Sequence, residues 1–358
     1  MKIAIILGTR PEIIKLSPII LECENQKIDY FILHTNQHYS ENMEKIFFEE
    51  LELPNPRYSL NICSGMHGFQ TGIMLIEIEK ILLKEKPSVV LVQGDTNTVL
   101  AGALAASKIL IKIGHVEAGL RSYDRQMPEE INRIIADHIS DYLFVPTEEA
   151  KNNLLREGIH PKKIFFAGNT IADAIKQNIK IASKKEEILE KFNLEKSKYL
   201  LLTLHRPSNV DNKLRLAFLL EEIEKVSKEF NYPIIWPIHP RAKKMLSEFD
   251  LRVSERIILT EPLGYFEFLQ LQKNAILILS DSGGIQEEAC ILGVPCITLR
   301  ENTERPETIS CGSNRLMSNN LCQDCKNVLE KKTDWKNPYG EGNSGKIIIE
   351  CLKHTYLI

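Results

Sequence analysis

Short apolar runs rich in β-branched residues alternate with longer amphipathic stretches along the whole chain. Runs at residues 3–7, 30–34, 89–93, 113–116, 142–145 and 164–167 predict strands. A second set follows at 199–204, 234–238, 257–259, 276–279, 296–299 and 315–317. Between them apolar positions recur at helical spacing, as over 71–83 and 214–230. Strands that alternate with helices predict parallel sheets with helices on both faces, an α/β architecture. The break is expected near Gly168-Asn169-Thr170, before a largely helical stretch that carries the charge run Lys184-Lys185-Glu186-Glu187, read as a solvated face. The expected domains are 1–168, joined by a terminal helix within 345–358, and 169–344, with a turn-rich linker at Asn337-Pro338-Tyr339-Gly340-Glu341-Gly342. Each is expected to be a Rossmann-like doubly wound domain, the two facing across a cleft, with ligand beyond the carboxyl ends of the strands.

The remaining whole-chain features narrow the class. A chain of 358 residues has room for two domains with cores of their own. Its formal net charge of −3, with basic residues scattered, points away from nucleic acid as the main partner. No apolar run has the length of a membrane span, and the start, Met1-Lys2 followed directly by a strand, lacks a signal-peptide pattern. A cytoplasmic protein is expected. The eight cysteines then read as buried small hydrophobes rather than a disulfide framework. Cys322-Gln323-Asp324-Cys325 is a lone C-x-x-C, and with Cys311 nearby it still forms neither a zinc finger nor a ribbon.

Chemistry concentrates where strands end. Asp281-Ser282-Gly283-Gly284-Ile285-Gln286-Glu287-Glu288 follows an apolar strand and opens a helix. Consecutive glycines let backbone approach a ligand, and a helix start offers unpaired N–H groups and a positive dipole end. Glu288, one turn in, can accept hydrogen bonds from vicinal hydroxyls, so phosphate and ribose together describe a nucleotide. Gly8-Thr9-Arg10-Pro11-Glu12 follows the first strand and leads to Lys15, two cations suited to an anion, although G-x-G-x-x-G is absent. Gly94-Asp95-Thr96 and His115-Val116-Glu117 put carboxylates at two further strand exits, and Met127-Pro128-Glu129-Glu130 begins a helix. Acidic residues there also serve as caps and complement the helix dipole. Taken together, Asp95, Glu117 and Glu129 are expected to crowd, raise one another's pKa and divide acid and base roles. His205-Arg206 ends the first strand of the second half, and Arg305 adds a cation after the 296–299 strand.

In these blocks, together with Thr303-Glu304-Arg305-Pro306-Glu307, the chain resembles the non-hydrolysing UDP-N-acetylglucosamine 2-epimerases over essentially its whole length. The resemblance implies the two-domain arrangement of GT-B glycosyltransferases, a homodimer, no metal or redox cofactor, and no insertion into membranes. It implies reversible epimerisation at carbon 2 by elimination of UDP to 2-acetamidoglucal and re-addition, in the service of polysaccharide biosynthesis. It assigns Arg10, Lys15, Asp95, Glu117, His205, Leu263, Phe268, Ser282, Gly283, Gly284, Glu288 and Arg305 to the nucleotide sugar, with Leu263 near uracil. Asp95, Glu117, Glu129 and His205 become the catalytic set. Gln37, His38, Gln70, Arg206 and His239 match positions where some relatives hold a second nucleotide sugar as activator, although Phe69 stands where those relatives have Arg. Many relatives read His-Arg-x-Glu-Asn where this chain reads His205-Arg206-Pro207-Ser208-Asn209, which removes a carboxylate from the neighbourhood of His205. The alternatives are 2-epimerisation of a related sugar such as UDP-2,3-diacetamido-glucuronate, a GT-B glycosyltransferase, a hydrolysing epimerase, and a non-catalytic UDP-sugar sensor.

Overall fold

Val89–Gln93 is buried at every position, as a strand covered by helices on both faces must be. It is the centre of a seven-stranded parallel sheet in the computed structural model, which describes residues 1–36, 47–60, 62, 65–183, 187–330 and 335–356. The strands are β1 (Lys2–Leu7), β2 (Asp29–His34), β3 (Tyr58–Ser59), β4 (Val89–Gln93), β5 (Lys112–Val116), β6 (Tyr142–Val145) and β7 (Ile164–Phe166), in the order β3-β2-β1-β4-β5-β6-β7. The chain runs outward from β1 to β3, then returns to lay β4 on the other side of β1. The junction of β1 and β4 is therefore the topological switch point, where loops leave the sheet in opposite directions. Ala4, Ile6, Val90 and Val92 pack with Val99, Ala103 and Met74 on one face. Each fully buried aliphatic side chain of Val or Ile size contributes roughly 1.5–3 kcal/mol.

The second sheet is also wholly parallel: β8 (Leu200–Thr203), β9 (Ile234–Pro237), β10 (Ile257–Thr260), β11 (Leu277–Ser280), β12 (Cys296–Thr298) and β13 (Asn314–Leu316). Its order, β10-β9-β8-β11-β12-β13, puts the switch between β8 and β11. Leu200, Leu202, Trp236 and Leu279 build the core on one face, and Leu201, Ile235, Ile278 and Ala289 that on the other. The doubly wound α/β class expected from the apolar pattern is thus found twice.

The compact units are 1–174 with 339–358, and 175–338. The first border falls inside the helix Thr170–Ala182, rather than at Gly168. The terminal helix Ser344–Tyr356 packs on the helix Arg10–Asn25 of the first unit. Asp173 holds its start, accepting from the Ser344 and Gly345 N–H groups at 3.1 and 3.0 Å. Lys184, Lys185 and Glu186 lie outside the described residues, and Glu187 opens the short helix Glu187–Lys191. Among the described residues, no helix is long and apolar enough to cross a membrane.

Candidate active site

Three loops leave the carboxyl ends of the adjacent strands β1, β4 and β5. Glu12 ties the first two together. Its Oε2 accepts from the Gly8 and Thr9 N–H groups at 2.8 and 2.7 Å and from Thr9 Oγ1 at 3.0 Å. Its Oε1 accepts from Thr96 Oγ1, in the β4 loop, at 2.6 Å. Burial pushes the Glu12 carboxyl up to about 7, with these hydrogen bonds drawing it part of the way back. Gly8 has to be glycine, because an added Cβ would collide with Thr35 and Thr98. Arg10 is the first residue of the helix, with its guanidinium 5.6 Å from the Phe47 ring centroid.

Lys15, one turn further, reaches the β5 loop and donates to both Glu117 oxygens at 2.8 and 2.7 Å. Gln93 also donates to this carboxylate. Glu117 is 7 % exposed and has φ of 67°, a left-handed conformation unfavourable for a non-glycine residue. A buried ionic layer supports the turn from below. Asp137 accepts from the Gly119 N–H at 3.1 Å and pairs with His115 Nδ1 and Arg121 Nη1, each at 2.7 Å. His115 Nε2 donates to the Gly94 carbonyl at 2.8 Å, so one imidazole braces both the β4 and β5 loops. Burial pushes the His115 imidazole down, but the Asp137 charge and hydrogen bond outweigh it and hold it above its ordinary value. Burial likewise pushes Asp137 up, and His115 and Arg121 more than reverse this.

Asp95 pairs with Arg133, which also donates to Glu130 at 2.9 Å. Glu130 is buried and accepts from the Ser122 and Tyr123 N–H groups, each at 2.9 Å, so it shapes the loop after β5. Glu129 is exposed in the first turn of the helix Pro128–Ile139. Asp95 and Glu117 are each paired with a cation, Arg133 and Lys15.

In the second unit, His205 follows β8. Its Nδ1 lies 3.0 Å from Asp281 Oδ1, and the backbone N–H groups of His205 and Arg206 also donate to Asp281. Burial pushes the Asp281 carboxyl up, but His205 and the donated hydrogen bonds hold it below its ordinary value. The helix Gly283–Leu292 starts here, and Ser282 at its N-cap makes no capping bond, leaving the helix start to other partners. An added Cβ on Gly283 would lie 2.3 Å from Glu304 Oε1, so any other residue there would force the Glu304 carboxylate to shift. Burial pushes Glu304 up, but Arg305, Arg300 and Arg206 around it bring it to about 2. Arg305 Nε lies 2.7 Å from Glu287 Oε1, and Glu288 accepts from Gln272 Nε2 at 2.6 Å. Leu263 and Phe268 pack on the cluster containing Leu271, Ile278 and Ala289.

Of the positions matched to a second ligand, Gln37 and His38 lie outside the described residues. Gln70 is buried and accepts from Asn97 Nδ2 at 3.0 Å, while Phe69 is 64 % exposed. In the second unit the rings of His205 and His239 are 5.8 Å apart. No group of three or more His, Cys, Asp or Glu among the described residues is arranged to hold a metal ion.

The family model described as UDP-N-acetylglucosamine 2-epimerase matches residues 21–353. The chain belongs to this family. Its members are isomerases. The chain is 62% identical over 363 residues to the UDP-N-acetylglucosamine 2-epimerase of Methanocaldococcus jannaschii, covering 99% of both chains. It is 59% identical to the enzyme of the same name from Methanococcus maripaludis, covering 98% of each. The crystal structure of the M. jannaschii epimerase in complex with UDP-GlcNAc and UDP superposes with a TM-score of 0.90 at 63% identity, covering 99% of this chain and 100% of that one. In this epimerase-family chain, strand-exit motifs carried Asp95, Glu117, His205 and Glu288 into view. The supporting roles of Gln93, Arg133, Asp137, Gln272 and Asp281 were missed. Asp281, Arg133 in the stretch Met127-Pro128-Glu129-Glu130-Ile131-Asn132-Arg133, and Gln93 at the end of the 89–93 run stood inside motifs that drew attention for other residues, whereas Asp137 and Gln272 gave no sequence signal.

Proposed function

We propose that this chain interconverts UDP-N-acetylglucosamine and UDP-N-acetylmannosamine by eliminating and re-adding UDP through 2-acetamidoglucal. The observation that carries the reading is the pair Asp95 and Glu117, each beside its own cation at the ends of adjacent strands, in a chain so similar to an epimerase solved with UDP-GlcNAc and UDP. A base removes the carbon-2 proton, the C–H electron pair becomes the C1=C2 bond, and the C1–O pair leaves with UDP. On return a UDP oxygen adds to carbon 1, and a proton reaches carbon 2 from the opposite face. Loss on one face and gain on the other need two groups, for which Asp95, Glu117, Glu129 and His205 are the candidates. Lys15 and the layer under Gly119 keep Glu117 in position.

The nucleotide half of the reading is electrostatic. UDP departs with added negative charge, which the helix start at Ser282–Gly284 and the cations Arg10, His205 and Arg305 are suited to stabilise. Glu288 suits the ribose, and Leu263 with Phe268 the base. The reading includes a cytoplasmic homodimer. Phe69, Ile76 and Leu83, exposed at seven-residue spacing on the helix His67–Glu85, support a second copy seated on that face.

Incubation of the protein with either UDP-sugar should yield the same mixture of both, resolved by ion-exchange chromatography. Accumulation of free N-acetylmannosamine with UDP would favour a hydrolysing enzyme. Release of UDP only with an added acceptor would favour a glycosyltransferase.

A further inference from the structure

Cys290 and Cys311 come from different elements of the second unit and meet. Cys290 lies in the last turn of the helix Gly283–Leu292, and Cys311 is the C-cap of the helix Pro306–Ser310. Their sulfurs are 3.9 Å apart. Cys290 is buried, whereas Cys311 is partly exposed, so one thiol of the pair can be reached from solvent. The Cys311 sulfur also lies 3.3 Å from Ser313 Oγ and 3.4 Å from the Thr308 carbonyl. Trp335 Nε1 donates to the Cys290 carbonyl at 3.0 Å and fixes the other side. The sulfurs of a disulfide lie about 2.0 Å apart, so this pair must approach by roughly 2 Å to bond. Cys322 and Cys325 differ in kind: they share one helix, and Cys325 is sealed in the core.

We propose that Cys290 and Cys311 form a reversible thiol–disulfide site that exchanges with low-molecular-weight disulfides. Cys311 loses its proton to solvent, and the thiolate attacks one sulfur of the small disulfide. That S–S bond breaks, and one small thiolate leaves and is protonated. Cys290 then loses its proton and attacks Cys311 Sγ, closing the protein disulfide and expelling the second small thiol. Two protein thiols are oxidised, and one small disulfide is reduced to two thiols. The order of attack follows from the geometry. Cys311 is the partly exposed sulfur of the pair, and its contacts with Cys290 and Ser313 hold its thiol below the ordinary range, whereas the Cys311 contact and burial raise that of Cys290, so the reachable sulfur has the larger thiolate fraction. The bond would join the end of the helix that starts at Ser282–Gly284 to the segment following Arg305, which already pairs with Glu287 of that helix. The site does not depend on what that helix binds, so its test is separate from that of the epimerase reading.

The full-length protein, fully reduced, is exposed to excess oxidised glutathione, then denatured in iodoacetamide and mapped by mass spectrometry. The wild type should lose two of its eight alkylatable thiols and give a Cys290–Cys311 linked peptide that dithiothreitol reverses. Cys290→Ser should retain glutathione on Cys311, and Cys311→Ser should yield neither the link nor an adduct on Cys290. Eight alkylated thiols after prolonged exposure would overturn the proposal. So would a lasting glutathione adduct on Cys311 beside an alkylated Cys290 in the wild type, a link between any other pair, or a Cys290→Ser variant without an adduct on Cys311.

Discussion

Glu117 occupies a left-handed backbone conformation while buried against Lys15 and Gln93. Such a conformation costs a non-glycine residue on the order of 1–3 kcal/mol and persists only where surrounding contacts over-determine it. Here the Lys15 pair and the Asp137–Gly119 bond do so. Glu117→Gln keeps the shape but loses the charge. Turnover should fall by roughly 10²–10⁴-fold, the range for a lost acid–base group, while the UDP dissociation constant by calorimetry stays within about twofold; an unchanged rate would remove Glu117 from the chemistry. Glu12 predicts a pH dependence of stability. Its folded carboxyl titrates at about 7 against an ordinary value of 4.5. Between those values the folded chain holds a proton that the unfolded chain has lost. Stability of the first unit should therefore fall as pH rises through that window, by roughly 3 kcal/mol. Urea midpoints measured from pH 5 to 8 should show this decline, and Glu12→Gln should flatten it. At this scale the reactive residue types were legible because glycines and strand ends frame them. Their partners were not, because Asp281 meets His205 and Arg133 meets Asp95 only through the packing of separate elements.

The strands were the most legible elements. The central strands, such as β1, β4, β8 and β11, are buried almost throughout and read as apolar runs, and each expected strand is found with its ends within about one residue. β3 was not foreseen, since two residues, Tyr58–Ser59, carry no period to detect. The helix His67–Glu85 begins four residues before the expected 71, because His67-Gly68-Phe69-Gln70 supplies a turn without helical apolar spacing. That helix also carries a feature its sequence period did not assign: Phe69, Ile76 and Leu83 face outward at 64%, 56% and 53% exposure. If a second copy covers them, Ile76→Asp with Leu83→Asp should convert a dimer to a monomer in sedimentation velocity. Exposed substitutions of this kind usually change stability by less than about 0.5 kcal/mol. A wild type that sediments as a monomer, or a variant that remains dimeric, would count against that face.

Across the whole molecule, two separate sheets gather their polar loops at their own switch points, β1 with β4 and β8 with β11. That much followed from alternating strands and helices, together with the rule that ligands sit at carboxyl ends. The division inside the helix Thr170–Ala182 did not, because a helix that continues across a border leaves no glycine, proline or charge signal there. The first unit contains Asp95, Glu117 and Glu129, and the second contains His205, Ser282–Gly284, Glu288 and Arg305. The central claim is that carbon 2 loses its proton and regains one from solvent. The direct measurement is incubation with UDP-N-acetylglucosamine in deuterated water, followed by proton NMR of both UDP-sugars. The account predicts deuterium at carbon 2 in each epimer and at no other ring carbon. Formation of UDP-N-acetylmannosamine with protium retained at carbon 2 would contradict it.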